Sequence, residues 1–172
     1  MHAEEKSLEA VRAGLKPIYP RLWRYCLVLT GNRDDANDLV QAACLHALEK
    51  AHLFTPGTYL DRWLFRMTQR LWYNDRRKLA VRQRGGLVSV DETDIPDPRP
   101  GPELNILARQ VFHHVMGLPE AQRIAVLLVY VEEFSYKEAA ELLDVPIGTI
   151  MSRLAAARQK LAHHGSQESK TG

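Results

Sequence analysis

The chain contains few cysteines and no motif of a catalytic or metal centre. Only two of its 172 residues are cysteine, Cys26 and Cys44, and neither lies in a CxxC pair or near a histidine at metal-ligand spacing. We expect buried free thiols in a reducing compartment, with a disulfide or metal role as the less favoured alternative. No glycine-rich phosphate loop, HExxH or GxSxG sequence occurs. The sequence therefore indicates neither an enzyme nor a cofactor.

Long apolar runs are also lacking. No stretch reaches the roughly 18 apolar residues that a membrane-spanning helix needs. The first residues, MHAEEKSLEA, are acidic and lack the apolar centre of a signal peptide. We therefore expect a cytoplasmic protein without membrane insertion. The net charge is only +2, so the distribution of charge along the chain has to indicate the partner.

Helical periodicity dominates the chain, and we find neither a strand pattern nor an internal repeat. Leu22, Cys26 and Leu29 recur at helical spacing and predict a helix over residues 8–30, with a possible break at Pro17 or Pro20. Gly31 ends this helix, because glycine readily adopts the conformation that follows a helix C-terminus. Two further helices are predicted over 34–50, capped by Asn32 or Asp34, and over about 58–84.

A change in composition divides the chain. Residues 85–102 contain four prolines and three glycines, and five acids stand against one arginine between residues 91 and 103. Such a segment cannot bury a core and is typical of a linker. We therefore predict an all-α protein of two small helical domains, residues 8–85 and 103–164, joined by an acidic linker over 86–102 and followed by a disordered tail over 165–172. The second domain should contain helices over 103–116, 119–132, 135–143 and 148–162.

The third helix carries a strong excess of positive charge. From residue 61 to 84 there are eight Arg or Lys and two Asp. Helical spacing predicts an apolar stripe that faces the core and consists of Leu60, Trp63, Leu64, Met67 and Leu71. The opposite side is predicted to be basic with interleaved aromatics: Arg62, Arg66, Gln69, Tyr73 and Arg76, flanked by Phe65 and Arg77. This pattern favours nucleic-acid binding, and a solvated basic surface is the alternative.

Residues 135–161 have the pattern of a helix-turn-helix. Ser135 and Glu138 form a capping box before a short helix, and Asp144 begins a tight turn. The second helix has a buried stripe of Ile150, Leu154, Ala157 and Leu161. Its outward face is Met151, Ser152, Ala155, Ala156 and Gln159, flanked by Arg153, Arg158 and Lys160. In this layout the second helix enters the major groove of DNA, although a simple helical hairpin would show the same apolar pattern.

The second helix differs in charge from the third. Asp34, Asp35, Asp38 and Glu49 outnumber Arg33 and Lys50. An acidic amphipathic helix is not expected to touch DNA. It therefore indicates a protein partner, with a solvated helix face as the alternative.

Two parts of the chain together resemble a known family. NRDDANDLVQAACLHALEK and YLDRWLFRMTQRLWYNDRRK, at 32–50 and 59–78, resemble region 2 of bacterial RNA polymerase sigma factors of the extracytoplasmic-function group. LPEAQRIAVLLVYVEEFSYKEAAELLDVPIGTIMSRLAAARQKL, at 118–161, resembles their region 4. The resemblance implies an alternative sigma factor that binds core RNA polymerase, recognises the −10 and −35 promoter elements and promotes DNA melting. Catalysis then belongs to the core polymerase.

The resemblance also implies site residues and partners. The clamp helices of the largest polymerase subunit would be bound by Asp34, Asp35, Asp38, Leu39 and Gln41. The −10 element would be melted and read by Thr58, Tyr59, Arg62, Arg66, Gln69, Arg70, Tyr73, Arg76 and Arg77. The −35 element would be read by Thr149, Met151, Ser152, Arg153, Ala155, Ala156 and Gln159. The flap of the second-largest subunit and an anti-sigma factor are further implied partners, and the linker would thread toward the RNA exit path.

The chain departs from the family pattern at three positions. The family usually has Asn at the position of Arg70, and often has basic residues at those of Met151 and Ala156. Since the changes at Met151 and Ala156 remove hydrogen-bond donors for bases, we expect weaker direct readout at −35. They also keep open a sigma-like mimic that sequesters an anti-sigma factor. A free-standing regulator that binds operators through residues 135–161 is less favoured, because it leaves the region 2 match unexplained.

Overall fold

The computed structural model describes residues 2–83 and 106–168, with side chains described for 2–82 and 109–163. All of these residues lie in helices or in the turns between them, as the all-α prediction requires. The chain divides into two compact units, Met1–Thr93 and Asp94–Gly172, here called unit 1 and unit 2. The predicted linker over 86–102 lies outside the described residues.

Unit 1 begins with a long helix, α1, over His2–Thr30. This helix starts earlier than predicted and runs without a break through Pro17 and Pro20. Ala13 and Lys16, whose carbonyls lose a backbone partner to the proline rings, are exposed, so water can hydrate these carbonyls. Leu22, Cys26 and Leu29 are buried as predicted.

The junction between the first two helices follows the expected turn chemistry. Gly31 has a φ of 80°, and its N–H donates to the Leu27 carbonyl at 2.9 Å. Asn32 then caps α2, Arg33–Glu49, by accepting a hydrogen bond from the Asp35 backbone N–H at 2.8 Å. Of the two predicted caps, Asn32 is therefore the one used.

A short 3-10 turn, Ala51–Leu53, and a loop lead from α2 to α3, Leu60–Gln83. The loop is anchored by Phe54, which is buried and whose carbonyl accepts a hydrogen bond from Ser7 Oγ at 2.9 Å. Helices α1 and α3 approach closely at Gly14, where an added Cβ would come within 2.1 Å of Leu60 Cδ2. Helices α1, α2 and α3 all pack on one another, and together they enclose the core of unit 1.

The described part of unit 2, residues 106–168, contains four α-helices: α4 over Ile106–Met116, α5 over Glu120–Val126, α6 over Tyr136–Leu143 and α7 over Ile147–Glu168. The helix predicted over 119–132 is in fact α5 followed by a π-helical turn, Leu127–Val131. Because α7 extends to Glu168, residues 165–168 of the predicted disordered tail are helical, and 169–172 lie outside the described residues. Residues 103–105 of the predicted fourth helix also lie outside them.

Both cysteines are free. Cys26 is buried and Cys44 is half-buried, and burial raises the pKa of both thiols above their ordinary value. The described residues include no group of three or more His, Cys, Asp or Glu side chains that could hold a metal ion. Within the same residues, no helix is long and apolar enough to cross a membrane.

Candidate nucleic-acid interface

The buried side of α3 is defined by its contacts with α1. The rings of Tyr25 and Phe65 stack with centroids 4.7 Å apart, and the Tyr25 hydroxyl donates to Gln69 Oε1. Leu64 and Thr68 complete this side, and all four of the α3 residues are 0–1% exposed. Burial raises the pKa of Tyr25 well above its ordinary value, and Tyr73 raises it further.

The predicted orientation of α3 is therefore wrong in part. Of the expected apolar stripe only Leu64 is fully buried, and Leu60, Trp63, Met67 and Leu71 are half-buried. Phe65 and Gln69, which were expected on the basic side, lie in the core, because α1 supplies a tyrosine that stacks on one and hydrogen-bonds the other. Gln69 is 1% exposed, so the prediction that it contacts DNA is incompatible with this fold.

The exposed side of α3 is basic. Arg66, Arg70, Tyr73 and Arg77 follow one another at helical spacing and are all exposed. Arg62 is half-buried instead, since its Nη1 pairs with Asp61 Oδ2 at 3.0 Å, while Arg21 reaches the same oxygen at 3.2 Å. We call the four exposed residues the basic face.

The C-terminal part of α3 has no buried side between Tyr73 and Arg82. Every side chain from Tyr73 to Arg82 is exposed. The stretch carries Arg76, Arg77, Lys78 and Arg82 against one acid, Asp75, and the Arg76 guanidinium lies 5.6 Å from the centre of the Trp72 ring. This part therefore offers positive charge in several directions.

The loop before α3 presents exposed polar and aromatic groups. Thr58 and Tyr59 are exposed, and Tyr59 is 78% exposed. Gly57 allows the turn with a φ of 89°, and Thr58 Oγ1 donates to the Thr55 carbonyl at 2.7 Å. Behind this tip, Phe54 packs on Trp63 with ring centroids 5.4 Å apart. The loop therefore carries an exposed tyrosine ring, which is a surface on which an unpaired base can stack.

The acidic side of α2 is exposed, but not every residue predicted for it is. Asp34, Asp35, Asp38 and Gln41 are exposed. Leu39 is 5% exposed and packs in the core, so it is not available to a partner. Leu45, which was not among the predicted polymerase contacts, is 60% exposed. Its apolar side chain falls outside the buried series of Leu39, Ala43 and Ala47, and that spacing was a signal that could have identified it.

The helix-turn-helix prediction is confirmed in geometry. The Glu138 N–H donates to Ser135 Oγ at 3.1 Å and the Ser135 N–H donates to Glu138 Oε2 at 2.7 Å, which completes the capping box. Asp144 adopts the left-handed conformation, with a φ of 53°, in the turn. Of the predicted stripe, Ile150, Leu154 and Ala157 are fully buried, whereas Leu161 is half-buried.

The outward side of α7 is open to solvent. Its exposed members are Met151, Ser152, Ala155 and Gln159, whereas Thr149, Arg153 and Ala156 are half-buried. Ser152 Oγ donates to the Thr149 carbonyl at 3.0 Å. Just beyond Ala155, Arg158 Nη1 donates to the Tyr130 hydroxyl oxygen at 2.7 Å. This pair was not predicted, because the partner lies on another helix.

Comparison with known proteins matches both units to one family. Residues 16–82 match the family model Sigma-70 region 2, and residues 114–161 match Sigma-70, region 4. The chain is 33% identical over 154 residues to the ECF RNA polymerase sigma factor EcfG of Rhodopseudomonas palustris, covering 90% of this chain and 84% of the relative. It is 30% identical to the ECF RNA polymerase sigma factor SigE of Mycolicibacterium smegmatis, covering 88% and 61%.

A solved structure has a similar fold. The sigma factor RpoE of Bartonella quintana, determined in complex with the anti-sigma factor NepR, matches with a TM-score of 0.69 and 28% identity. The match covers 88% of this chain and 94% of that one.

Proposed function

Because this chain belongs to the extracytoplasmic-function group of RNA polymerase sigma factors, we propose that unit 1 holds core RNA polymerase with α2 and opens promoter DNA with α3, while unit 2 reads the −35 element with α7. It is an alternative sigma factor for transcription initiation. In this proposal the chain supplies recognition and DNA opening, and the polymerase supplies the chemistry.

The observation that carries the proposal is the two-sidedness of α3. One side is buried against α1 through Phe65 and Gln69. The other presents the basic face, Arg66, Arg70, Tyr73 and Arg77, within the residues that match region 2. Arginines bind backbone phosphates, and an exposed aromatic ring stacks on unpaired bases at about 1–3 kcal/mol per base. This combination suits a partly single-stranded −10 element.

The loop tip is the proposed site of the extruded base. Extruding a base costs a few kcal/mol of lost stacking, roughly what one good aromatic contact returns. The Tyr59 ring is exposed, so it offers such a contact. Thr58 provides a hydroxyl beside it. Because Gln69 is buried, it is dropped from the predicted −10 contacts. We propose that the −10 element is contacted by the others: Thr58, Tyr59, Arg62, Arg66, Arg70, Tyr73, Arg76 and Arg77.

The proposed polymerase contact combines charge with apolar surface. Asp34, Asp35, Asp38 and Gln41 form the exposed acidic side of α2. Leu45 lies further along the same helix and takes the place of the buried Leu39 as the apolar contact. We propose that this surface binds the clamp helices of the largest subunit.

The proposed −35 contact surface on α7 has few hydrogen-bond donors for bases. Of the predicted readers, Ser152 and Gln159 are exposed and polar, while Met151 and Ala155 are exposed and apolar. Apolar side chains contact thymine methyl groups, and groove shape supplies further selectivity. We therefore propose a −35 preference that depends more on shape and on phosphate contacts than on paired hydrogen bonds to bases.

An anti-sigma factor is the proposed regulator. In the RpoE structure the sigma factor is bound by the anti-sigma factor NepR, and this chain is 28% identical to that sigma factor. We propose that a protein of the same kind covers the polymerase-binding surface of α2. The flap of the second-largest polymerase subunit is the proposed partner of unit 2.

The test is transcription from a promoter library. The protein is mixed with core RNA polymerase and randomised promoter DNA, and the transcripts are sequenced; core polymerase alone is the control. We expect transcripts that start downstream of shared −10 and −35 sequences. Absence of promoter-dependent initiation in every condition would overturn the proposal, and tight binding to an anti-sigma factor in that case would identify a mimic.

A further inference from the structure

One arginine of the reader helix α7 is held by a tyrosine from another helix. Arg158 and Tyr130 are both exposed, and their side chains are joined by a hydrogen bond of 2.7 Å. That hydrogen bond raises the pKa of Arg158 above its ordinary value, and the Tyr136 hydroxyl contributes in the same direction. A long surface arginine normally samples many rotamers, so a partner at this distance restricts where its charge lies.

The position of Arg158 on α7 relates it to the DNA-facing side. Met151, Ala155 and Arg158 follow one another at spacings of four and three residues, and all are exposed. Arg158 therefore belongs to the same side of the helix as two of the proposed reader residues.

The distance along the helix favours a phosphate over a base. Arg158 lies eleven residues after Ile147, the first residue of α7, which corresponds to about 16 Å along the axis. The N-terminal residues of a reader helix contact base edges, and the major groove is roughly 12 Å wide. A side chain about 16 Å from that end therefore lies beyond the floor of the groove, where the sugar-phosphate backbone runs. By the same measure Gln159, the next residue, is a phosphate contact and not a reader of base edges.

Tyr130 lies in the π-helical turn, Leu127–Val131. In this turn the Glu132 N–H donates to the Leu127 carbonyl five residues earlier, at 2.9 Å. A hydrogen bond between residues five apart encloses one more residue than the bond of an α-helix, so the side chains that follow are rotated relative to an α-helix. Leu127 and Leu128 remain buried, while Tyr130 is 51% exposed.

We propose that Tyr130 is a positioning residue that holds Arg158 against a backbone phosphate at the edge of the −35 major groove. The inference rests on the proposed function, and it adds a residue outside the predicted readers. A guanidinium has five N–H donors, so the bond to Tyr130 leaves others for phosphate oxygens. The Tyr130 hydroxyl accepts from Arg158 and retains its own proton, which it can donate to the same phosphate or to a water.

The test uses holoenzyme and duplexes that carry promoters selected in the transcription assay. Binding is measured over a range of salt concentrations for Tyr130→Phe, Arg158→Ala and the double variant. Tyr19→Phe is the matched control, because Tyr19 is an exposed tyrosine on α1 of unit 1. Affinity for core polymerase is measured in parallel.

We expect Tyr130→Phe to weaken DNA binding by about twofold to tenfold, the range for one net hydrogen bond. Arg158→Ala should weaken it at least as much and reduce the log–log salt slope by about 0.9, the value for one lost phosphate contact. Tyr130→Phe should also lower the slope, and it should add little once Arg158 is alanine. Because phosphates carry no sequence, the same loss should appear on duplexes with altered −35 bases.

Each other outcome has a definite meaning. Unchanged affinity and salt slope for Tyr130→Phe, in a holoenzyme that binds promoters, would overturn the inference and leave the proposed function intact. A Tyr130→Phe effect on core affinity alone would overturn it in favour of a protein contact. Failure of the parent protein to bind any promoter as holoenzyme would overturn the proposed function, and the inference with it.

Discussion

Replacing Gln69 by leucine distinguishes the observed packing of α3 from the orientation that helical spacing predicts. In the structure Gln69 is buried and its Oε1 accepts from the Tyr25 hydroxyl, while its Nε2 has no hydrogen-bond partner. Leucine removes the acceptor, and a buried hydroxyl left unpaired costs about 1–3 kcal/mol. Leucine also removes the unpaired Nε2 and adds apolar surface, which offsets part of that cost.

We therefore expect a net loss of about 1 kcal/mol in the free energy of unfolding of unit 1. For a domain of this size that lowers the melting temperature by roughly 4–8 °C. Adding Tyr25→Phe removes the hydroxyl that Gln69→Leu leaves without an acceptor, so the double variant should recover most or all of the stability lost by Gln69→Leu. The recovery is the sharper prediction, because it depends on the two side chains touching.

Tryptophan fluorescence is the appropriate assay. All three tryptophans, Trp23, Trp63 and Trp72, lie in unit 1, so the signal follows that unit alone. Gln41→Leu is the matched control, since Gln41 is exposed on α2 and its replacement should leave the melting temperature unchanged. If Gln69→Leu leaves stability unchanged and weakens promoter opening instead, Gln69 lies on the DNA side and the packing described above is wrong.

Three further predictions concern the capping box, buried ionisable groups and thiol reactivity. Ser135→Ala should cost about 1 kcal/mol and lower the hydrogen-exchange protection of α6; unchanged protection would contradict the cap. Burial raises the pKa values of Cys26 and Tyr25 above their ordinary 9.0 and 10.0, so on raising the pH the unfolded chain loses these protons before the folded one does. Unit 1 should therefore lose stability above about pH 9, by up to ~1.4 kcal/mol per pH unit for each group. Denaturant titrations with Tyr25→Phe should show a shallower loss, and constant stability through pH 10.0 would refute the buried state. In the native protein iodoacetamide should modify Cys44 before Cys26, as judged by mass spectrometry, and the reverse order would contradict their burial.

Local signals predicted much of the fold. Gly31, Asn32, Ser135 and Glu138 act where they stand in the chain, because caps and turns depend on neighbours a few residues away. The apolar stripe of α7 was predicted for the same reason. Its residues face one side of a short hairpin, so the apolar pattern of this one helix is enough to predict which of them are buried.

Features that depend on a second helix were not predicted. Phe65 and Gln69 belong to the core because Tyr25 of α1 contacts both. Leu39 had been assigned to a partner, although its spacing with Ala43 and Ala47 indicates burial. The π-helical turn and the Tyr130–Arg158 bond also lie outside what periodicity detects, since one is a change of helical geometry and the other joins residues 28 positions apart.

In the proposed function, two faces of unit 1 have separate tasks: α2 holds the polymerase and α3 opens the promoter. The most direct test of this division measures core affinity and permanganate reactivity of the −10 thymines in parallel for Arg66→Ala and Asp38→Arg, both exposed positions. Arg66→Ala should reduce opening by about tenfold or more with core affinity unchanged. Asp38→Arg should weaken core binding and leave opening intact once polymerase is saturating. Loss of core binding by Arg66→Ala, or unchanged core affinity of Asp38→Arg, would contradict this division of the surface.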